Sequence, residues 1–135
     1  MIAPGRTIGI LGGGQLGRML ASAANQLGFD VHIFCPETDS PASRGARKTW
    51  NADYLDADAM REFAKSCDVV TLEFENIPVE ATDLIASCGV ALHPGPRSLA
   101  ISQDRAEEKA FLNRIGIPTA PYEVIESAAD IPPAL

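Results

Sequence analysis

The feature that most constrains this chain is a three-part run near its start. Thr7–Leu11 (TIGIL) is followed by Gly12-Gly13-Gly14 and then by Gln15–Leu27. The first part is short, β-branched and apolar, as a strand buried on both faces is. In the last part Leu16, Met19, Leu20, Ala23, Ala24 and Leu27 recur at helical spacing, which predicts a helix that packs through that face. Gly28 stands where a C-terminal cap is expected. A strand that passes through a glycine-rich turn into a helix is the opening unit of a parallel α/β sheet.

The rest of the chain repeats the alternation. Strands are expected at Val31–Cys35, Lys48–Ala52, Asp68–Phe74 and Val90–Leu92. Helices are expected at Asp56–Cys67, with Ala57, Met60, Phe63, Ala64 and Cys67 on one face, and at Pro78–Ser87, opened by its proline and closed by Gly89. A short helix follows at Arg97–Ile101 and a longer one at Asp104–Ile115, with Gly116 and Pro118 as stop signals. Pro36–Arg47 is a loop long enough to suggest a function, and is expected to be mobile near a ligand cleft. The fold class is therefore α/β, a Rossmann-like open parallel sheet with right-handed crossovers and helices on both faces.

Beyond Thr119-Ala120-Pro121, an extended connector, Tyr122–Glu126 reads as a new strand and Ser127–Asp130 as the start of a helix. These pieces suggest a second domain. The expected organisation is residues 1–118 as a substrate-binding domain and 119–135 as the opening of a second one, in an N-terminal portion of a larger protein.

Composition excludes several functions. With 46% hydrophobic residues among 135 the chain can bury a core without disulfide or metal staples. A net charge of −7 argues against nucleic-acid or anionic-membrane binding, which needs a basic face. No apolar run approaches the roughly 20 residues of a membrane span, and Met1–Arg6 is no signal peptide. Cys35, Cys67 and Cys88 are odd in number and widely spaced, which points to free thiols in a reducing compartment, so a cytoplasmic location is expected. No metal-ligand spacing, no nucleophile–base arrangement and no G-K-[ST] phosphate loop occurs.

Three segments carry chemistry. The G-x-G-x-x-G of Gly12, Gly14 and Gly17 lies between strand and helix, where unpaired N–H groups and a positive dipole end face a ligand. A tight turn with no ligand is the structural alternative. A dinucleotide site would add an acidic residue at the tip of the second strand. Glu37 and Asp39 are the candidates, although both follow Pro36 into the loop. The second segment, Thr71–Pro78 (TLEFENIP), crowds Glu73, Glu75 and Asn76 at the carboxyl end of a parallel strand, the edge where such sheets bind ligands. Helix capping by Asn76 with solvated glutamates is the alternative. In the third, Ser102 or Asp104 caps a helix on which Arg105 and Lys109 share a face and could meet a phosphate; a solvated face with Arg105–Glu108 pairing is the alternative.

Taken together, GILGGGQLGRML (Gly9–Leu20), DVVTLEFENIP (Asp68–Pro78), HPGPRSL (His93–Leu99) and SQDRAEEKAFLNRIGIPTAPY (Ser102–Tyr122) resemble the amino-terminal region of the 5-(carboxyamino)imidazole ribonucleotide synthases of the ATP-grasp superfamily. The resemblance implies a purine-biosynthetic ligase. Such an enzyme uses ATP, accompanied by Mg2+, to activate bicarbonate as carboxyphosphate, and passes the carboxyl group to 5-aminoimidazole ribonucleotide. It implies that residues 1–118 form the pre-ATP-grasp domain and 119–135 the start of the ATP-grasp domain. By position, Gly14, Gln15 and Leu16 would line the ribonucleotide site, and Glu75, with Glu73 as its rival, would accept from ribose hydroxyls. Arg105, and less directly Lys109, would reach ATP. Catalytic and magnesium-binding residues are expected beyond Leu135, so the chain alone is expected to be inactive; a homodimer is possible within this family. Two other readings stay open: a sister ATP-grasp enzyme such as glycinamide ribonucleotide transformylase, which tends to carry Glu where Gln15 stands, and an NAD(P)-dependent Rossmann oxidoreductase.

Overall fold

The computed structural model of this chain describes residues 2–131. Five strands, β1 (Thr7–Leu11), β2 (Asp30–Cys35), β3 (Lys48–Asn51), β4 (Val69–Leu72) and β5 (Ala91–Leu92), form one sheet in the order β3-β2-β1-β4-β5. Every neighbouring pair is parallel. The helices are α1 (Gln15–Gln26), α2 (Ala57–Lys65), α3 (Val79–Ser87), α4 (Pro96–Gln103) and α5 (Arg105–Arg114), with 3-10 turns at Ala42–Gly45 and Ala128–Asp130. The expected doubly wound α/β architecture is what forms.

Alternation along the strands divides the core into two layers. Ile10, Val31, Ile33 and Cys35 point to the face covered by α1 and the Ala42–Gly45 turn. Leu11, Phe34 and Val70 point to the other, where Met60 and Phe63 of α2 and Ala81 and Ile85 of α3 pack. The predicted face of α2 is correct: Met60, Phe63, Ala64 and Cys67 are all buried. Asp56 caps that helix through its carboxylate, which accepts from Asp58 and Ala59 N–H.

Of the predicted face of α1 only Ala24 is buried, and the large residues turn outward. Leu16, Met19 and Leu27 are 58%, 68% and 67% exposed, and the residues that pack are Gly17, Ala21 and Ala24. The reason is space. The helix lies so close to the layer beneath it that a Cβ on Gly17 would stand 3.0 Å from the Gly12 carbonyl oxygen and 3.2 Å from Ala42 Cβ. Only small side chains fit that approach, so the larger apolar stripe turns outward. Gly28, at φ +82°, ends the helix as expected.

Pro36–Arg47 runs past the glycine turn, and its middle is held rather than free. Ser40 and Ala42 are buried. Ala42 N–H donates to the Gly13 carbonyl at 3.0 Å, and Asn25 Nδ2 donates to the Gly45 carbonyl at 2.8 Å. Strand β4 is shorter than Asp68–Phe74. Asp68, just before it, still donates its N–H to the Thr7 carbonyl at 2.9 Å, and its carboxylate accepts from Thr7 N–H at 2.8 Å and from Arg6 at 3.0 Å.

Contacts divide the chain into two compact units, Met1–Ala100 and Ile101–Leu135, with α4 running across the division. In the second unit Asp104, not Ser102, caps α5, accepting from Ala106 and Glu107 N–H at 2.8 and 3.1 Å. Gly116, at φ +83°, follows its end. Tyr122–Glu126 does not form the expected strand. A strand exists only when its backbone groups find a partner, and among the described residues of this unit there is none. Ser127–Asp130 is represented by the 3-10 turn, and residues 132–135 of the expected second domain lie outside the described residues.

Candidate functional site

The chain leaves β1 at Leu11 and turns at Gly12, whose φ of +109° is one that side-chain-bearing residues rarely adopt. Gly12 N–H donates to the Phe34 carbonyl at 2.9 Å, stitching the turn to the end of β2. Helix α1 begins at Gln15 with Gly14 at the capping position, where it has no side chain to accept the helix's first N–H groups.

Glu73 supplies the acceptor. It lies one residue past β4, and its own N–H donates to the Leu11 carbonyl at 3.0 Å, extending the Leu11–Leu72 register. Its carboxylate turns back into the glycine bend. Oε1 accepts from Gly14 N–H at 2.5 Å, and Oε2 accepts from Gly17 N–H. The two segments singled out in the sequence therefore meet at the carboxyl edge of β1 and β4, beside the point where the strand order reverses.

Next to this junction is a cavity of about 300 Å3, lined by Gly13, Gly14, Glu37, Asp39, Tyr54 and Glu73 among others. The Tyr54 phenol is pushed well above its ordinary range, first by burial and then by the neighbouring acidic groups, Glu37 foremost. It stays protonated at neutral pH and can donate a hydrogen bond. Burial likewise raises the Cys35 thiol, which rests 3.4 Å from Ser40 Oγ, so it is a packed side chain rather than a nucleophile. Three carboxylates, Glu37, Asp39 and Glu73, line the cavity together with the hydroxyls of Tyr54 and Ser40 and the backbone of Gly13 and Gly14.

The other expected residues fall as follows. Gln15 and Leu16 are exposed on the first turn of α1. Glu75 is exposed on the β4–α3 connection, so of the two glutamates it is Glu73 that reaches the glycine turn. Asn76 does not cap α3; Pro78 occupies that position. In the second unit Arg105 pairs with Glu108, and the Lys109 ammonium lies 4.9 Å from the centre of the Tyr122 ring. Tyr54 escaped sequence reasoning. Its signal was available: it stands three residues past β3, at the same carboxyl edge of the sheet.

No described helix is long and apolar enough to cross a membrane. Among the described residues, no group of three or more His, Cys, Asp or Glu could hold a metal ion.

Known proteins share this sequence and fold. The chain is 48% identical over 135 residues to the bifunctional purine synthesis protein purC/E of Dictyostelium discoideum, all of this chain and 13% of that one. It is 47% identical over 134 residues to the N5-carboxyaminoimidazole ribonucleotide synthase of Brucella melitensis, 99% of this chain and 37% of that one. Among solved structures, the ADP complex of an N5-carboxyaminoimidazole ribonucleotide synthetase superposes with a TM-score of 0.90 at 36% identity, covering 99% of this chain and 35% of that one. The chain thus spans about a third or less of the length of these relatives. The sequence model of the ribonucleotide synthetase preATP-grasp domain matches residues 5–103, through the whole sheet and the glycine turn, and the chain belongs to that family.

Proposed function

We propose that this chain is the substrate-binding domain of an ATP-dependent ligase that carboxylates 5-aminoimidazole ribonucleotide with bicarbonate, by way of carboxyphosphate, in purine biosynthesis. The observation that carries the reading is the convergence of the glycine turn and Glu73 on one cavity at the carboxyl edge of the sheet, in a chain whose relatives are named for this reaction.

On this reading Gly14, Gln15 and Leu16 line the ribonucleotide, with the Gln15 amide offering both a donor and an acceptor. A ribose hydroxyl is received by Glu73 or Glu75. Glu73 already accepts two N–H groups, but a carboxylate has about four acceptor positions, so a ligand hydroxyl can still be accommodated. The neutral Tyr54 hydroxyl, which lines the same cavity, adds a donor. Arg105 and Lys109 face the nucleotide, Arg105 exchanging Glu108 for a phosphate oxygen. ATP supplies the phosphoryl group that activates bicarbonate, and magnesium accompanies it. The described residues do not fit a metal site, so its ligands are expected elsewhere in the whole protein, as are the catalytic residues. Phosphoryl transfer relies on cations gathered around the moving group, so the 135-residue chain by itself is expected not to turn over ATP. The division at residue 118, with 119–135 opening an ATP-grasp domain, belongs to the same reading.

One observation favours a second reading. Glu37 and Asp39, just past the tip of β2, line the same cavity as Gly13 and Gly14, where a dinucleotide-binding oxidoreductase places the carboxylate that receives ribose. Phosphate release by the intact protein decides between them. Release dependent on both bicarbonate and aminoimidazole ribonucleotide supports the ligase. Release with formate and glycinamide ribonucleotide identifies the sister enzyme, and NADH fluorescence quenching without ATP hydrolysis identifies the oxidoreductase.

A further inference from the structure

Gly12, Gly14 and Gly17 have the spacing of a turn that cradles a ligand's phosphate, yet the space they leave is taken by a side chain of the protein itself. A Cβ on Gly12 would stand 2.3 Å from Glu73 Cγ, one on Gly14 2.8 Å from Oε1, and one on Gly17 2.8 Å from Oε2. All three glycines are thus spaced around the Glu73 carboxylate. The Gly14 and Gly17 N–H groups end on its two oxygens. A helix N-terminus attracts anions through unpaired N–H groups and its partial positive charge. Here those two donors are occupied and the charge is already balanced. The neighbouring cavity is lined by the carboxylates of Glu37 and Asp39 as well as Glu73, all of which repel a phosphate, in a chain whose net charge is −7.

We propose that Glu73 is a specificity-determining residue that acts as a built-in anion. It closes the glycine turn to free phosphate and to the pyrophosphate of a dinucleotide, although the turn carries the spacing that elsewhere binds them. Glu73 acts through the backbone of Gly14 and Gly17 as a positioning residue, and the inference is independent of which ribonucleotide the whole protein uses.

The test is a titration of the intact protein, labelled with 15N-glycine, with inorganic phosphate and separately with NADH. In the native protein the amide signals of Gly14 and Gly17 stay in place at millimolar concentrations of either probe. In Glu73→Ala the same signals move saturably, and phosphate binds about tenfold or more tightly than in the native protein, because a like charge within a few ångströms has been removed. A role limited to holding the fold would not create an anion site. Saturable movement of the two signals in the native protein overturns the proposal. So does a folded Glu73→Ala protein, judged by its other glycine signals, that gains no phosphate binding. If the alanine variant does not fold, Glu73→Gln, which keeps the volume and removes the charge, is read by the same two outcomes. If neither folds, the native titration decides: movement overturns the proposal and its absence supports it.

Discussion

Phe63 lies directly against Gly9. A Cβ on that glycine would stand 2.7 Å from Phe63 Cζ, and equally close to Cys67 Sγ. The centre of the sheet therefore depends on an absent side chain in β1 to seat α2. Gly9→Ala is expected to destabilise the protein by about 1–3 kcal/mol, the usual cost of overpacking a core. Gly45→Ala is the control, since the nearest atom to a Cβ there would be Ala21 Cβ at 3.5 Å, in ordinary contact. Urea unfolding of the two variants should show a large drop in midpoint for the first and little change for the second.

The orientation of α1 gives a paired prediction. Leu16→Gln and Met19→Gln alter exposed residues, and are expected to change stability by less than about 0.5 kcal/mol. Ala21→Leu introduces bulk where the helix meets its neighbours and Ala21 is fully buried; it is expected to cost about 1–3 kcal/mol. Thermal unfolding that ranks these variants in the opposite order would show that the outer stripe, not the small-residue stripe, packs.

His32 is held below its ordinary pKa of 6.5 by burial first and then by the positive charge of Lys48, with Asp30 opposing. Its Nδ1 is 2.9 Å from Ser66 Oγ. A histidine with a depressed folded pKa favours the native state above the unfolded value, and that contribution is lost as pH falls through the folded one. An NMR titration of the His32 ring should therefore show a midpoint below 6.5, and Lys48→Met should move it upward. A native midpoint at or above that value would contradict the assignment.

Cys67 predicts the alkaline behaviour. Burial raises its thiol from an ordinary 9.0 to about 11. Because the folded pKa is the higher one, the contribution of this group to stability is complete below pH 9.0 and is lost as pH rises toward about 11. At about 1.4 kcal/mol per pKa unit the loss is on the order of 2–3 kcal/mol. Urea midpoints measured across that window should fall in the native protein and fall less in Cys67→Ala. Equal slopes in the two proteins would rule this group out as the cause.

Much of this was legible in the sequence because local pattern and tertiary packing agree. The bounds of β1 and the buried face of α2 follow from apolar spacing, since the residues that look suited to a core have room to enter one. Helix α1 is the counterexample. It carries two stripes, and periodicity favours the larger residues, whereas the close approach of Gly17 to Ala42 admits only the smaller ones. Distance between backbones decides that, and no single segment encodes it. The site divides in the same way. The glycine turn and the Glu73 tip could each be recognised alone, but the insertion of Glu73 into the turn joins residues 59 apart in sequence and depends on the pairing of β1 with β4. Tyr54 and the held loop around Ser40 are legible only once strand order is known. Arg105 shows a limit of another kind: its partner Glu108 is the one that helical spacing offers first.

The alignment of β4 with β1 has a consequence for how this protein can change. Glu73 reaches the bend because it is the first position after Leu72, which sits opposite Leu11. Sliding the strand by one step would send Leu72 or Phe74 into that place and turn the acid toward the opposite layer. A single insertion or deletion within residues 69–73 would dismantle the bend, because it would move the acid off the position that follows Leu72. The anchor of the cleft is counted out along a strand, so its evolution is gated by indels there more than by substitutions around the rim.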